Sequence, residues 1–344
     1  MAELVTLADI QAAANRIAGV AVRTGLYRVD PERLHAAGAT ELPFELYLKA
    51  ESEQPIGSFK LRGAYNRIAQ LSADELARGV ITYSSDNHAQ GVAYAGRALG
   101  AKAVIVMPDN APQVKIDATR ALGAEVVLVG PASSARRAKA EELAAAHRYT
   151  IVPPYDDPAI IAGQGTCGLE ILEQLGVMPK DDVVVLSPVS GGGLLSGLAT
   201  AIKLATPDGA NVQVWGVEPE LAADAKESFD TRTLVEWPAA KTTRTISDGL
   251  RTQSLGVLNF QHILEFVDGI VTVTEDEIVA AMRIMLAATG LTAEPSGAVT
   301  MAAALFHHGE LPRCSKLVAV LSGGNLGPEM KRDLESGVAM GASA

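Results

Sequence analysis

The chain has 344 residues, and its 29 Lys+Arg against 40 Asp+Glu leave a formal charge of −11; 48% of the residues are hydrophobic and 20% charged. That length is enough for about two domains with substantial cores, and the composition is far from that of a disordered chain. The acidic balance and the 4% aromatic content exclude a general nucleic-acid binder, which needs clustered Lys/Arg and stacking platforms, and they disfavour anionic membrane surfaces.

In chain order, the start MAELVTLADIQAAANRIAG reads as an amphipathic helix, without the basic start, apolar run and cleavage site of a signal peptide. No apolar stretch reaches the ~18–20 residues that span a bilayer, so a cytoplasmic chain is expected. GVITYSS then HAQGVAYAGRAL, KAVIVMP then PQVKIDATRAL, and EVVLVG then SARRAKAEELAAAH alternate short β-branched runs with helical ones. This is the rhythm of a parallel sheet covered by helices. After TIVPPYDDPA the pattern returns: AIIAGQGTCGLEILEQL, VVVLSPV, a glycine turn, LLSGLATAIKLA, VQVWGVEP and finally KLVAVLSGG before GPEMKRDLESG. No repeat or flexible tether interrupts it. Residues 220–256 have no clean periodicity and are expected to form a long functional loop. Cys167 and Cys314 stand far apart with no CxxC or Cys/His cluster, which removes a disulfide framework and a zinc ribbon.

Four turn-like clusters carry potential chemistry. In SPVSGGGLLSG, residues 187–197, a strand runs into Gly191, Gly192 and Gly193 before a helix; converging backbone amides there suit a phosphate, or simply a tight turn. It is neither a Walker loop nor GxGxxG, since Ser196 occupies the third glycine position. In QPIGSFKLRGAYN, Lys60 lies between apolar Phe59 and Leu61; it is either a solvated charge or a depressed amine able to form a Schiff base. TYSSDNHAQG, residues 82–91, is an N-cap cluster or a carboxylate cradle. LSGGNLG, residues 321–327, says only that the chain turns.

Together and in this order, GSFKLRGA, SSDNHAQG, SGGGLLSG and LSGGN resemble the threonine/serine dehydratase and serine racemase family of pyridoxal-phosphate enzymes. These belong to fold type II, the tryptophan synthase beta-like group. ATRALGAEVVL, DDPAIIAGQGT, GVEPE, TISDGL and AEPSGA extend the resemblance through nearly the whole chain. It implies an α/β, two-domain fold with open, twisted, mostly parallel sheets and helices on both faces. A large cofactor domain would comprise residues 1–79 plus 156–344, a small mobile domain 80–155, and there would be no C-terminal regulatory domain.

The resemblance further implies that Lys60 joins the cofactor and then acts as base on the substrate α-proton. Phe59 and Gly249 would flank the pyridine ring and Asn87 would hold the ring hydroxyl. Ser190, Gly191, Gly192, Gly193 and Leu194 would hold the phosphate, Ser322 would meet the ring nitrogen, and Glu294 would stand nearby. The substrate would meet Ser84, Ser85, Asp86, Asn87, His88 and Arg136, with Ser85 the second proton carrier of racemising members. Glu218, the Ala222 carbonyl and Asp224 match the spacing of a divalent cation site for Mg²⁺ or Ca²⁺; the other reading is two solvated acids. The implied reaction is β-elimination of water from L-threonine or L-serine in amino-acid catabolism by a homodimer or homotetramer. Serine racemase, a 3-hydroxyaspartate or phenylserine dehydratase, and a cofactor-binding protein without catalysis are the alternatives. Four positions depart from the family pattern: Ile56 for threonine, Asp86 for glycine, Tyr155 for phenylalanine and Ser190 for glycine.

Overall fold

The computed structural model describes residues 3–84, 86–111, 113–130 and 133–336. Ten strands form two open sheets among them: β1 Leu26–Arg28, β2 Glu45–Ala50, β3 Val80–Tyr83, β4 Ala103–Pro108, β5 Glu125–Val129, β6 Thr150–Ile151, β7 Asp182–Pro188, β8 Asn211–Pro219, β9 Gly269–Val273 and β10 Lys316–Leu321. The larger sheet has the order β1-β2-β10-β7-β8-β9 and the smaller β5-β4-β3-β6. Every pairing is parallel except β1 with β2 at the edge.

Apolar runs become central strands because both faces are covered. In β10, Leu317, Ala319 and Leu321 enter one core while Val318 and Val320 enter the other, the period-2 alternation of an extended chain. The smaller sheet repeats this: Val80, Ala103, Ile105 and Met107 face one cluster, and Ile81, Val104 and Val106 the opposite one. Pro153 and Pro154 follow one residue after β6, and their lack of a ladder donor keeps the strand from running on.

Close helix packing joins the elements around both sheets. Asp157 caps the helix Pro158–Leu175, with proline in its first turn and Gly176 left-handed at its end. This helix lies so close to Gly193–Ala205 that a Cβ on Gly197 would stand 2.2 Å from the Ile161 carbonyl oxygen. The helix Lys60–Ile68 begins at the end of β10, where the Phe59 amide donates to the Ser322 carbonyl at 3.0 Å, and sends Ala64 and Ile68 into the smaller sheet's core.

Residues 220–256 are more regular than their hydropathy suggests, with a helix over Asp224–Thr231 and short turns of helix at 220–222, 239–242 and 248–250. Asp224 and Ser228 are among the residues that helix buries, so its inward face is partly polar and escapes a hydrophobic-periodicity test. No helix of the described residues is long and apolar enough to cross a membrane.

Candidate active site

Side-chain and backbone bonds bring the four clusters to one place. Lys60, in the first turn of its helix, donates from Nζ to the Pro154 carbonyl at 3.0 Å and lies 5.2 Å from the Phe59 ring centroid. Burial lowers its pKa to about 8 against an opposing pull from Asp86, so the amine is partly neutral near neutral pH. Behind it, fully buried Arg62 binds Glu51 through Nε and Nη2 at 2.8 Å each and Glu170 through Nη1 at 2.7 Å; Lys49 completes the group, 2.6 Å from Glu170. Although burial acts against it, the Arg62 guanidinium holds the Glu51 carboxyl down at about 2. This buried network fixes the start of the lysine helix, and no sequence motif announced it.

The glycine loop after β7 has the shape a phosphate requires. Gly192 adopts φ 91° and caps Gly193–Ala205, whose first-turn amides have no intrahelical acceptors. A Cβ on Gly191 would lie 2.3 Å from the Tyr155 ring, and one on Gly193 would lie 2.9 Å from the Tyr155 Cβ, so only glycine lets Tyr155 pack against this turn. Ser190 Oγ sits 2.9 Å from Thr252 Oγ1 and Leu194 is buried.

The corner after β3 is made of side chains instead. Asn87 Nδ2 donates to Glu294 Oε1 at 2.6 Å, and Asn87 Oδ1 accepts from Asn325 Nδ2 at 2.7 Å, which pins the amide in one orientation. His88 Nε2 meets the Val152 carbonyl at 3.0 Å; burial, helped by Lys60, takes its pKa down to about 3 and keeps the ring neutral. Ser84 Oγ accepts from the Asp86 amide at 3.3 Å. Ser85 lies outside the described residues.

Asp86 Oδ1 pairs with Lys115 Nζ at 2.8 Å, and the same ammonium meets Asp248 Oδ2 at 2.6 Å. Gly249 follows Asp248; its amide donates to Ser296 Oγ at 2.9 Å, and a Cβ there would stand 3.4 Å from Asp86 Oδ2. Ser322 is buried at the end of β10, next to Gly323, where a Cβ would fall 2.3 Å from Glu294 Oε1. Arg136 is half-buried on the helix Ser133–His147. Sequence reading missed Lys115, Asn325 and Pro154. Asn325 alone had a signal, standing in LSGGN.

Glu218 and Asp224 form a second group, at and beyond the end of β8. Both are buried, and neither Asp224 oxygen has a hydrogen-bond partner beyond its own residue, whereas Glu218 accepts from the amides of Ala225 at 3.3 Å and Lys226 at 2.8 Å. Burial raises both acids, Asp224 to about 7, and Asp224 raises Glu218 further. They are not the two solvated acids of the simpler reading. Among the described residues no three His, Cys, Asp or Glu side chains gather as a metal cluster.

Residues 28–323 match the family described as "Pyridoxal-phosphate dependent enzyme". The chain belongs to that family. Among curated relatives, L-threo-3-hydroxyaspartate ammonia-lyase of Saccharomyces cerevisiae is 37% identical over 95% of this chain and 94% of that protein. The catabolic L-threonine dehydratase of Escherichia coli strain K12 is 38% identical over 94% and 93%, and serine racemase of Schizosaccharomyces pombe 36% over 94% and 95%. Among solved structures, serine racemase of Dictyostelium discoideum aligns at TM-score 0.82 with 36% identity, covering 94% of this chain and 99% of that one. The residues fit the family's cofactor: a depressed amine at Lys60, a side-chain-free cradle at 191–193, a pinned amide at Asn87 and a buried hydroxyl at Ser322.

Proposed function

We propose that this chain eliminates water from a β-hydroxy-α-amino acid, L-threonine or L-serine, and yields a 2-oxo acid and ammonia. The observation that carries this reading is Lys60, an amine with its pKa lowered to about 8 where the glycine cradle, the Asn87 corner and the end of β10 converge. When bound, pyridoxal phosphate supplies an electron sink for the substrate α-carbon. Lys60 holds the cofactor and then takes the α-proton, which a base titrating close to ambient pH does best. The amides of Ser190–Leu194 would hold the phosphate, Phe59 and Gly249 would flank the ring, Asn87 would meet its hydroxyl and Ser322 its nitrogen. A serine hydroxyl does not stabilise a protonated ring nitrogen as a carboxylate does, which favours prompt departure of the β-hydroxyl over prolonged charge at the α-carbon. Ser84, Ser85, Asn87 and His88 receive the substrate carboxylate, with Arg136 at the mouth. The enamine left after loss of water hydrolyses to the 2-oxo acid and ammonia.

The continuous run of β3 to β6 supports a division into a small mobile unit, residues 80–155, and a large one, residues 1–79 plus 156–344. The orphaned Asp224 carboxylate, Glu218 and the Ala222 carbonyl are proposed to hold Mg²⁺ or Ca²⁺ with water; oxygen donors and uncompensated negative charge suit a hard cation. A cytoplasmic homodimer or homotetramer is the accompanying expectation. Racemisation is the second reading, supported by the fission-yeast relative, with Ser85 as the second proton carrier.

The test is a panel of L- and D-serine, L-threonine, 3-hydroxyaspartate and phenylserine given to the holoenzyme, with 2-oxo acid and enantiomer scored separately. Oxo acid from L-threonine or L-serine is expected. Enantiomer without oxo acid moves the assignment to racemase, and no turnover of any member overturns both readings.

A further inference from the structure

Relatives named for a substrate with an uncharged β-substituent and for one with a carboxylated β-carbon match this chain at nearly the same identity, 38% and 37%. Overall similarity therefore does not choose between the two substrate classes, but one side chain in the site can. Asp86 precedes the helix Asn87–Ala98 without a side-chain capping bond, at the corner where Ser84 and Asn87 are proposed to receive the substrate carboxylate. Its Oδ2 lies 3.4 Å from where a Cβ on Gly249 would stand, and its side chain is only 18% exposed. Asp86 thus stands between the corner after β3 and the turn at Gly249, the segments proposed to receive the substrate carboxylate and to flank the ring.

Lys115 does not cancel this charge. Its single ammonium is shared between Asp86 at 2.8 Å and Asp248 at 2.6 Å, so two carboxylates and one ammonium leave the trio with one net negative charge. The α-carbon of any substrate must stand against the Lys60 nitrogen, and its β-substituent is one bond further on. Asp86 also acts electrostatically on the Lys60 ammonium, so a substrate held at Lys60 lies within its reach, and a carboxylate on the β-carbon would add negative charge beside a trio that is already net negative.

We infer that Asp86 is a specificity-determining residue that excludes substrates with a carboxylate on the β-carbon and so restricts the enzyme to neutral β-hydroxy amino acids. The inference rests on the dehydratase reading for the chemistry, but the sign of the charge rejected is independent of it. Like charges at such range in a partly buried site are expected to separate the two classes by about 10- to 100-fold.

Two measurements on the holoenzyme keep the inference distinct from the reading it rests on. The first is kcat/KM for L-threonine against L-threo-3-hydroxyaspartate. The second is equilibrium binding, followed by the cofactor absorption spectrum, of L-2-aminobutyrate against L-aspartate, neither of which has a β-hydroxyl to lose. Wild type should favour threonine and aminobutyrate by about 10-fold or more, and Asp86→Asn, which keeps the shape and removes the charge, should bring both ratios to within about 3-fold of unity. Equal wild-type handling of the neutral and anionic members in the binding assay overturns the inference without any variant. Ratios unchanged in Asp86→Asn and Asp86→Gly overturn it as well. If nothing turns over but aspartate is rejected in wild type and accepted in Asp86→Asn, the dehydratase reading fails and the charge filter stands.

Discussion

Two strand-to-helix corners meet the segment 152–155, one through His88 at Val152 and the other through Gly191 and Gly193 at Tyr155, and they suit anion binding in opposite ways. The corner after β7 is almost free of side chains: Gly191 and Gly193 leave room for Tyr155, and the groups without helical partners are backbone amides. The corner after β3 is dense with them, Ser84, Asp86, Asn87 and His88, each with a hydrogen-bond or ion-pair partner. Backbone amides are fixed by the helix they begin and carry no titrating group, so the first corner suits an anion that is always the same. Side chains can be exchanged one at a time without unfolding the corner, so the second suits a ligand that distinguishes one enzyme of the family from another. The net charge of −11 bears on neither, because both work through local dipoles and single groups.

Lys60 stands between the corners, and its removal has the largest expected effect. Lys60→Ala should lower turnover by at least ~10³-fold, since both the proton carrier and the attachment go. It should also abolish the visible absorption band that the lysine linkage produces, as a spectrum of the purified variant will show. Retained turnover would mean that neither corner serves the lysine.

Gly191→Ala separates the corners. Its methyl group would fall 2.3 Å from the Tyr155 ring, and overpacking of that kind costs about 1–3 kcal/mol, or ~10–100-fold. The loss is expected in cofactor affinity, measured by titrating the apoenzyme, while KM for the amino acid at saturating cofactor stays within about 3-fold. A KM that rises as steeply as the cofactor Kd would dissolve the division of labour.

A third prediction concerns the buried acids Glu218 and Asp224, at and beyond the end of β8. With the Asp224 pKa raised from 3.8 to about 7, the folded chain holds a proton that the unfolded chain has released. The native state is therefore penalised increasingly from about pH 4 to pH 7 and fully above that. A divalent cation replaces that proton. At about pH 8, Mg²⁺ or Ca²⁺ should raise Tm by about 4 °C, and at about pH 5, where the acids are protonated, by much less. Asp224→Asn should abolish the cation response while making the cation-free chain more stable at the higher pH. Indifference to chelation at both pH values would leave the pair as a structural oddity.

How much of this could be read from the residues alone follows the same contrast. The strand–helix rhythm of β3 to β8 was legible because apolar runs covered on both faces leave a strong pattern, and the glycine corner was legible because glycine is visible as glycine. The roles at the other corner came from resemblance, since Ser, Asp and Asn at a helix start look the same whether they cap or bind. The long-range partners were invisible. Asp86 gave no hint that Lys115, 29 residues on, would share it with Asp248, 133 residues beyond that lysine. The Glu51–Arg62–Glu170 network was equally silent, because burial of charge is decided by tertiary neighbours and not by spacing. The helix Asp224–Thr231 was hidden for a related reason: its inward face carries Asp224 and Ser228.

The smallest effect is expected at Glu294, and it sharpens what kind of side chain the second corner needs. Burial first, then Asp86 and Asp248, raises the Glu294 pKa well above its usual value, against Asn87 and Lys115. The folded chain therefore favours the protonated form, and the stability linked to it is lost as pH rises from the ordinary carboxyl range through the raised pKa. A protonated carboxyl and an amide offer Asn87 the same carbonyl acceptor, so Glu294→Gln should change turnover and cofactor affinity by no more than about 3-fold. Glu294→Ala instead leaves Asn87 Nδ2 without its 2.6 Å acceptor, and an unsatisfied buried donor costs about 1–3 kcal/mol, seen as ~10-fold or more in cofactor Kd. A Gln variant as damaged as the Ala variant would mean that Glu294 works as a carboxylate. The corner would then need the charge that the surrounding acids and burial oppose.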